Sequence, residues 1–167
     1  MDYRVYRVRG EDWEQVRELR LRMIEDTPLA CLETYAEAQQ ADEAEWRFRA
    51  ERSAKPGSVQ VIAATEDGLR VGTMAAYTDD AGTRWLVGVW VDPAHRGSRA
   101  GVADLLLDAV LAWARGEGGA ERLVLEVHER NERAIAFYRR RGFEPTGRTT
   151  PYPLAGGGIE HEMALTL

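Results

Sequence analysis

Several residue types and patterns are scarce in this chain of 167 residues, and each scarcity excludes a class of protein. Cys31 is the only cysteine, so neither a disulfide within the chain nor a thiolate metal cluster can form, which favours a reducing compartment. The 22 basic residues are outnumbered by 28 acidic ones, and the formal net charge of −6 argues against a nucleic-acid or anionic-membrane partner. An amine-bearing, cationic small partner suits this charge better.

Long apolar stretches are also missing. The richest run, LLLDAVLAWA, is interrupted by Asp108 and falls well short of the ~18 apolar residues that a membrane-spanning helix needs. The N-terminal stretch MDYRVYRVRGEDWEQ has no apolar core of the kind found in signal peptides. We therefore expect a cytoplasmic protein without a membrane partner.

The composition that remains, 44% hydrophobic and 30% charged residues, is ordinary for a globular protein and predicts one domain over residues 1–167. Periodicities and turn signals predict the element order βααβββαβαββ. This order indicates an α/β fold, with a mixed sheet of about seven strands and about four helices. The predicted strands are 3–8, 59–65, 69–77, 85–91, 123–127, 143–148 and 159–165. The predicted helices are 12–27, 37–52, the segment from 102 to the glycines at 116–119, and the segment from the Asn131 cap to Gly142.

The sequence is organised around residues 87–113, an apolar strand followed by a basic turn and a long helix. Val102, Leu106, Val110 and Trp113 recur at the spacing of one helical face, so this helix is expected to pack on a sheet. The turn before it contains two arginines and two glycines. Because the first N–H groups of a helix have no intrahelical partners, and glycine leaves them accessible, such a turn can bind a phosphate. A plain loop is the alternative.

Two blocks of the sequence resemble the GCN5-related N-acetyltransferase superfamily. The family pattern V-x-P-x-x-R-G, followed by G-x-A at a helix start, matches the segment from Val91 to Ala103. The family elements L-x-V, N-x-x-A, Y and G-F are similar to Leu125-Glu126-Val127, Asn131, Ala134, Tyr138 and Gly142-Phe143. The resemblance spans essentially the whole chain and is strongest over residues 85–147.

The resemblance implies a cleft between two parallel strands, 87–91 and 123–127, that splay apart to bind acetyl coenzyme A without a metal ion. The pantetheine arm would pair with the backbone near Val89 and Val91, and the pyrophosphate would rest on the amides of the basic turn. The residues so implied in coenzyme binding are Val89, Trp90, Val91, Arg96, Gly97, Ser98, Arg99, Ala100, Gly101, Val102, Ala103, Asn131, Ala134 and Tyr138.

The turn departs from the family pattern R-G-x-G-x-G/A, because Arg99 stands where glycine is expected. Two registers of the phosphate-binding segment therefore stay open, 96–100 and 101–103, and the apolar face of the helix favours the second. The Arg99 side chain either reaches a phosphate oxygen or is solvated.

The implied reaction is direct transfer of the acetyl group, through a tetrahedral intermediate, to a primary amine of a small molecule, a protein or a peptide. By resemblance, Tyr138 is the general acid that protonates the departing thiolate. Asn131 lies two turns earlier on the same helix face and is implied as a coenzyme contact. The alternative, on local grounds alone, is that Asn131 serves only as a helix cap and Tyr138 only as an aromatic residue of the core.

The group that accepts the amine proton is assigned from strand parity. Glu126 and His128 lie on the side of their strand opposite to Leu125 and Val127, so both can reach the cleft together. We assign the catalytic role first to Glu126, directly or through water, and then to His128. Exposed charges at the end of a strand are the alternative.

Two other functions compete with acetyl transfer. A catalytically silent acyl-CoA sensor or regulatory module would use the same cleft, and an unrelated α/β interaction domain would leave both matching blocks as coincidence. The sequence does not identify the acceptor, and it leaves open whether the protein forms a homodimer.

Overall fold

The order of helices and strands comes from a computed structural model that describes residues 1–97, 99–117 and 119–167. The strands are β1 (Tyr3–Arg7), β2 (Ser58–Thr65), β3 (Arg70–Thr78), β4 (Arg84–Val91), β5 (Arg122–His128), β6 (Glu144–Pro151) and β7 (Ile159–Thr166). The α-helices are α1 (Trp13–Asp26), α2 (Tyr35–Gln40), α3 (Glu43–Ala54), α4 (Val102–Gly116) and α5 (Glu132–Arg140). Short 3₁₀ turns cover Gly10–Asp12, Pro28–Ala30 and Pro93–His95.

The predicted helix over residues 37–52 is two helices, so the described order is βαααβββαβαββ and the prediction of about four helices was one short. The break falls at Ala41, whose backbone is extended, and Asp42, which is the N-cap of α3. The Asp42 carboxylate accepts a hydrogen bond from the Glu45 N–H at 2.9 Å. An aspartate that caps a new helix interrupts the old one, and the charged composition of the segment hid this signal.

All seven strands belong to one mixed sheet with the spatial order β1-β2-β3-β4-β5-β7-β6. The β2, β3 and β4 strands form the antiparallel meander that the glycine-containing turns predicted. The contact between β4 and β5 is parallel, and every other neighbouring pair in the sheet is antiparallel. The predicted α/β fold with a mixed seven-stranded sheet is thus confirmed.

Helices cover both faces of this sheet. On one face, α4 buries Val102, Leu106, Val110 and Trp113, the stripe that its sequence predicts, and α5 packs beside it. On the other face, α1, α2 and α3 pack around Ile62 and the Trp90 side chain. No helix in the described part of the chain is both long and apolar enough to cross a membrane.

Helix α4 packs close to the sheet because the β3 residue beneath it is a glycine, Gly72. A Cβ atom built on Gly72 would lie 3.1 Å from Leu106 Cδ1, 3.3 Å from Val102 Cγ1 and 3.0 Å from the Trp90 carbonyl oxygen. The first turn of α4 and the end of β4 are therefore held in place by the absence of a side chain.

We expect Gly72→Ala to lower the free energy of unfolding by about 1–3 kcal/mol, because a well-packed core must shift to admit the methyl group. Urea unfolding followed by circular dichroism measures this change. Gly116→Ala is the matched control: Gly116 ends α4 with nothing within 4 Å of a built Cβ, so alanine should leave stability unchanged or raise it slightly. Equal midpoints for the two variants would contradict this account of the packing.

Candidate active site

The central feature of the site is an opening between β4 and β5. The two strands pair only at Arg84 with Leu123 and at Trp85 with Val124, and beyond these pairs they separate. The opening continues into a cleft of about 770 Å³, lined by Val87 and Val89 from one strand and Val127 from the other. The predicted splay between 87–91 and 123–127 is therefore present.

A β-bulge marks the start of the separation. Trp90 pairs with Thr73 and Val87 with Ala75, so β4 uses one residue more than β3 between these pairs. Gly88 lies inside the bulge with φ +59°, a backbone conformation that favours glycine. Bulges bend a strand and increase its local twist, which accounts for the departure of β4 from β5 at this point.

The opening joins groups from the two faces of the sheet. Leu123, Leu125 and Val127 of β5 belong to the core under α4 and α5, so Glu126 and His128 belong to the face covered by α1, α2 and α3. Tyr138 lies on the first face, on α5. All three side chains nevertheless line the same cleft. A continuous sheet would have kept Tyr138 apart from Glu126.

The N-terminus of α4 lies at one end of the cleft, the end at which the sequence predicts that the coenzyme binds. Gly101 is the N-cap with φ +67°, and among the residues that the structure describes no side chain caps the helix. The first backbone bond of α4 runs from the Leu105 N–H to the Gly101 carbonyl, so the N–H groups of Val102, Ala103 and Asp104 precede the regular ladder. Ala103 and Asp104 line the cleft. These amides are the donors that an anionic group requires.

Residues of the basic turn before α4 are of two kinds: some are held by hydrogen bonds and ion pairs, and others are exposed. Arg96 donates from Nε to the Val91 carbonyl at 2.8 Å, and its Nη2 forms an ion pair with Asp26 at the end of α1. Gly97 lines the cleft with φ +104°, and a Cβ there would meet no atom within 4 Å. Arg99 is exposed, and Ser98 lies outside the described residues.

Asp26 fixes the turn against the opposite helix. It also accepts a hydrogen bond from Trp90 Nε1 at 2.9 Å. Desolvation alone would raise the pKa of the Asp26 carboxyl, but the hydrogen bonds from Trp90, Thr27 and Arg96 hold this pKa below its ordinary value. Asp26 therefore stays ionised at neutral pH and holds the Arg96 guanidinium, a contact that the sequence motif does not reveal.

Helix α5 presents Tyr138 to the cleft. The Asn131 side chain accepts a hydrogen bond from the Ala134 N–H at 3.3 Å, so Asn131 is the N-cap, and both residues line the cleft. Tyr138 is only 6% exposed and packs edge-on against Phe143 with ring centroids 5.6 Å apart. Burial raises the pKa of the Tyr138 phenol, so the hydroxyl stays protonated at neutral pH.

His128 is held by hydrogen bonds at both ring nitrogens. Nδ1 accepts from the Arg130 N–H at 3.1 Å, which places the ring proton on Nε2, and Nε2 donates to the Gly157 carbonyl at 2.9 Å. The ring also packs edge-on against Tyr152 at 4.8 Å. This geometry leaves neither nitrogen open for proton transfer, and His128 supports the turn at Gly156–Gly158 instead.

Glu160 is a site residue that the sequence did not indicate. It pairs with His128 across β5 and β7, is 8% exposed, and lines the cleft beside Glu126. Burial, a hydrogen bond with the Glu126 carboxyl and the negative charge of that carboxyl raise the pKa of Glu160 to about 7. The two carboxyls therefore share one proton near neutral pH. Only the antiparallel register of β5 and β7, a contact between distant segments, brings them together.

Comparison with known proteins identifies the family. A model described as the acetyltransferase (GNAT) family matches residues 13–143. The chain belongs to the GNAT family. The splayed strands, the α4 N-terminus and the tyrosine on α5 all lie within the residues that the GNAT model matches.

Solved GNAT structures share the whole fold. An acetyltransferase of the GNAT family from Streptococcus pneumoniae superposes with a TM-score of 0.83 at 17% identity, covering 99% of this chain and 100% of that one. A GNAT phosphinothricin acetyltransferase from Sinorhizobium meliloti, solved in complex with acetyl-CoA, gives 0.81 at 19% identity, with 100% and 89% covered. These likenesses show the fold.

Among curated sequences, the peptidyl-lysine N-acetyltransferase YjaB of Salmonella typhimurium is 35% identical over 72 residues. The match covers 40% of this chain and 44% of YjaB, and the Escherichia coli YjaB is similar to the same extent, at 36%. The chain thus matches less than half the length of these curated relatives.

The residues of the cleft fit acetyl-CoA, the donor of this family. Beyond Trp85, β4 has no strand partner on its β5 side, which leaves backbone groups near Val89 for a pantetheine arm. The Val91 carbonyl already accepts a hydrogen bond from Arg96. In the described part of the chain, no group of three metal-ligating side chains is placed to hold a metal ion.

We expect Ala103→Asp to weaken acetyl-CoA binding at least about tenfold, because the new carboxylate would lie beside the amides that receive the pyrophosphate. Isothermal titration calorimetry measures the affinity. Leu105→Asp is the control, since it adds the same charge two residues later on an exposed position that does not line the cleft. If both variants bind acetyl-CoA equally, the pyrophosphate does not rest on the first turn of α4.

Proposed function

We propose that the protein transfers an acetyl group from acetyl-CoA directly to a primary amine of a small molecule or of a protein or peptide. The observation that carries this proposal is the opening between β4 and β5. It places the α4 N-terminus, the Tyr138 phenol and the Glu126–Glu160 pair around one cleft. Acetyl-CoA supplies the activated acetyl thioester, and the chain supplies positioning and proton transfer.

The amine reaches the protein as an ammonium and has to lose a proton before it can attack the thioester carbonyl. The Glu126–Glu160 pair is suited to accept this proton, because the pKa of Glu160 lies near 7 and both carboxyls line the cleft. The assignment extends the sequence prediction for Glu126 and passes over His128, whose nitrogens are both engaged.

When the new carbon–nitrogen bond forms and the carbon–sulfur bond breaks, the departing thiolate requires a proton. Tyr138 is suited to donate it, since its phenol is protonated at neutral pH and lines the cleft across from the acidic pair. The nitrogen of the new amide gives up its second proton to water in the same step, and water returns a proton to the Tyr138 phenolate. The net reaction is one amide and one thiol from one thioester and one amine.

Tyr138→Phe should lower kcat by ~10²- to 10⁴-fold, the usual contribution of a positioned general acid, with acetyl-CoA affinity nearly unchanged. The ring and its contact with Phe143 are kept, so thermal unfolding should stay within a few degrees of the original protein. Phe137→Leu, which alters a neighbouring half-buried ring on α5, is the control for packing. A loss of less than about threefold in kcat would mean that the Tyr138 hydroxyl is not the general acid and that the residue serves only in packing.

A wild-type protein that binds acetyl-CoA but releases no thiol with any amine would favour the silent sensor. That outcome is distinct from a small effect of Tyr138→Phe, because it concerns the unaltered chain.

The pH dependence of kcat/KM should identify the proton acceptor. In the unaltered protein the rate should rise with pH through a limb near 7, as the raised pKa of Glu160 is crossed and the pair becomes fully ionised. Glu126→Gln should move this limb to lower pH, because the repulsion that raises the pKa of Glu160 is gone. Glu160→Gln should remove the limb and lower the rate. An unaltered profile in both variants would place the proton acceptor elsewhere.

A further inference from the structure

In the described part of the chain, neither Glu126 nor Glu160 forms an ion pair with an arginine or lysine, unlike the other carboxylates around the cleft. Asp26 has Arg96, Asp104 has Arg140, and Glu33 has both Arg20 and Arg49. The charge interactions of Glu160 are with Glu126, which raises the pKa of Glu160, and with His128, which lowers it; both ring nitrogens of His128 are already in hydrogen bonds with backbone groups. A carboxyl that is 8% exposed beside a second carboxyl indicates that a ligand supplies positive charge at this position.

Aromatic and apolar side chains surround the same position. Tyr77 and Trp85 are direct partners across β3 and β4, and Val87 follows on the same face of the sheet. Tyr77 is 42% exposed and Val87 39%, large fractions for apolar groups inside a cleft. Trp85 also pairs with Val124 of β5, two residues before Glu126 on the same face, so the aromatic pair and the acidic pair line one part of the cleft. Aromatic faces next to carboxylates are suited to a cation on an apolar body.

The guanidinium groups at the cleft do not provide a site for a carboxylate next to the amine. Arg20 is held by Glu33 at 3.0 Å, and the same carboxylate is held by Arg49 at 2.8 Å. Arg133 stands on α5 beside Arg96 and Asp26, on the coenzyme side of the cleft. A carboxylate on the carbon that carries the amine would lie against Glu126 and Glu160, which repel it.

Tyr152 packs on His128, which pairs with Glu160, and it bridges two loops at this end of the cleft. We call this the acceptor end, because the proposed acceptor would bind beside the acidic pair. The Tyr152 hydroxyl donates to the Cys31 carbonyl at 2.8 Å and also lies 3.2 Å from the Pro28 carbonyl. This contact joins the loop between α1 and α2 to the loop between β6 and β7. A continuous peptide lying across this end would have to break the bridge, whereas a small amine would not.

We infer that the acceptor is a small primary amine with an apolar, preferably aromatic, body and no carboxylate next to the amine. This inference rests on the proposed function and adds the class of acceptor. The Glu126–Glu160 pair lines the cleft and supplies negative charge for the ammonium of the acceptor. The Tyr77–Trp85 side of the cleft receives the body, and the bridge at Tyr152 sets the limit on size.

A matched set of amines tests the class with the full chain and acetyl-CoA, by following thiol release. The set is 2-phenylethylamine, phenylalaninamide, phenylalanine, ethanolamine and a hexapeptide containing one lysine. The value of kcat/KM for 2-phenylethylamine should exceed that for phenylalanine at least about tenfold, with phenylalaninamide between them. Ethanolamine, which has the amine without the apolar body, and the hexapeptide should both be poorer than 2-phenylethylamine. Phenylalanine or the peptide as the best acceptor would overturn the inference.

Two variants separate charge recognition from a structural effect. Glu160→Gln should lower kcat/KM for 2-phenylethylamine more than for phenylalanine, so the ratio of the two values should fall at least about threefold. A merely structural loss would lower both values equally and leave the ratio unchanged, which would count against charge recognition. Glu162→Gln is the control on the same strand, because its carboxylate accepts a hydrogen bond from Thr146 and does not line the cleft.

Failure of the inference can be told apart from failure of the proposed function. If none of the five amines releases thiol while calorimetry shows that acetyl-CoA binds, acetyl transfer to amines is rejected altogether. If thiol is released but the order of the amines is reversed, acetyl transfer stands and the acceptor class is rejected.

Discussion

Two residue pairs, Arg84 with Leu123 and Trp85 with Val124, are all that joins β4 to β5, and the site depends on how short this contact is. A longer ladder would close the sheet and separate Tyr138 from the acidic pair. The paired end is held from the side by Arg84, which donates to the Ala114 carbonyl at 2.6 Å and lies over the Trp113 ring. Because α4 starts where β4 ends, fixing its last turns at the paired end directs its first turn to the open end.

Charge is distributed around this opening in a way that the overall composition does not show. Arginines neutralise the carboxylates at its edges, including Asp26, Glu33 and Asp104. These pairs tie helices to one another and to the basic turn. In the described part of the chain, neither the exposed Glu126 nor the buried Glu160 forms an ion pair with an arginine or lysine, and a carboxyl with a perturbed pKa in a cleft indicates a ligand or a reaction.

Local signals were enough to predict much of the fold. The stripe from Val102 to Trp113 is periodic over its whole length, and the Asn131 cap and the glycine turns gave correct starts for helices and strands. The prediction of one helix over residues 37–52 was wrong, because Asp42 is the N-cap of a new helix and so separates α2 from α3. The strand parity of Glu126 and His128 was read correctly, and both side chains line the cleft.

The parts of the site that escaped prediction all depend on contacts between distant segments. Glu160 comes beside Glu126 only through the register of β5 and β7, and Asp26 reaches Arg96 only when α1 packs on the sheet. The hydrogen bond that engages Nε2 of His128 is made to Gly157, in a turn almost thirty residues away. None of these contacts leaves a periodic trace in the sequence, whereas the two motif blocks do.

The turn at Gly156–Gly158 has a consequence for how relatives of this protein can diverge. A Cβ at Gly158 would lie 2.7 Å from Glu129 Oε1 and 3.0 Å from His128 Nε2, and the backbone there has φ +91°. This turn, which accepts a hydrogen bond from His128 at the edge of the cleft, therefore admits almost no variation without displacing His128. The facing loop, with Leu29 half-buried and Leu32 58% exposed, has no such restriction. Evolution of a new acceptor preference on this scaffold would accordingly proceed through the loop at residues 29–32, while the glycine turn stays fixed.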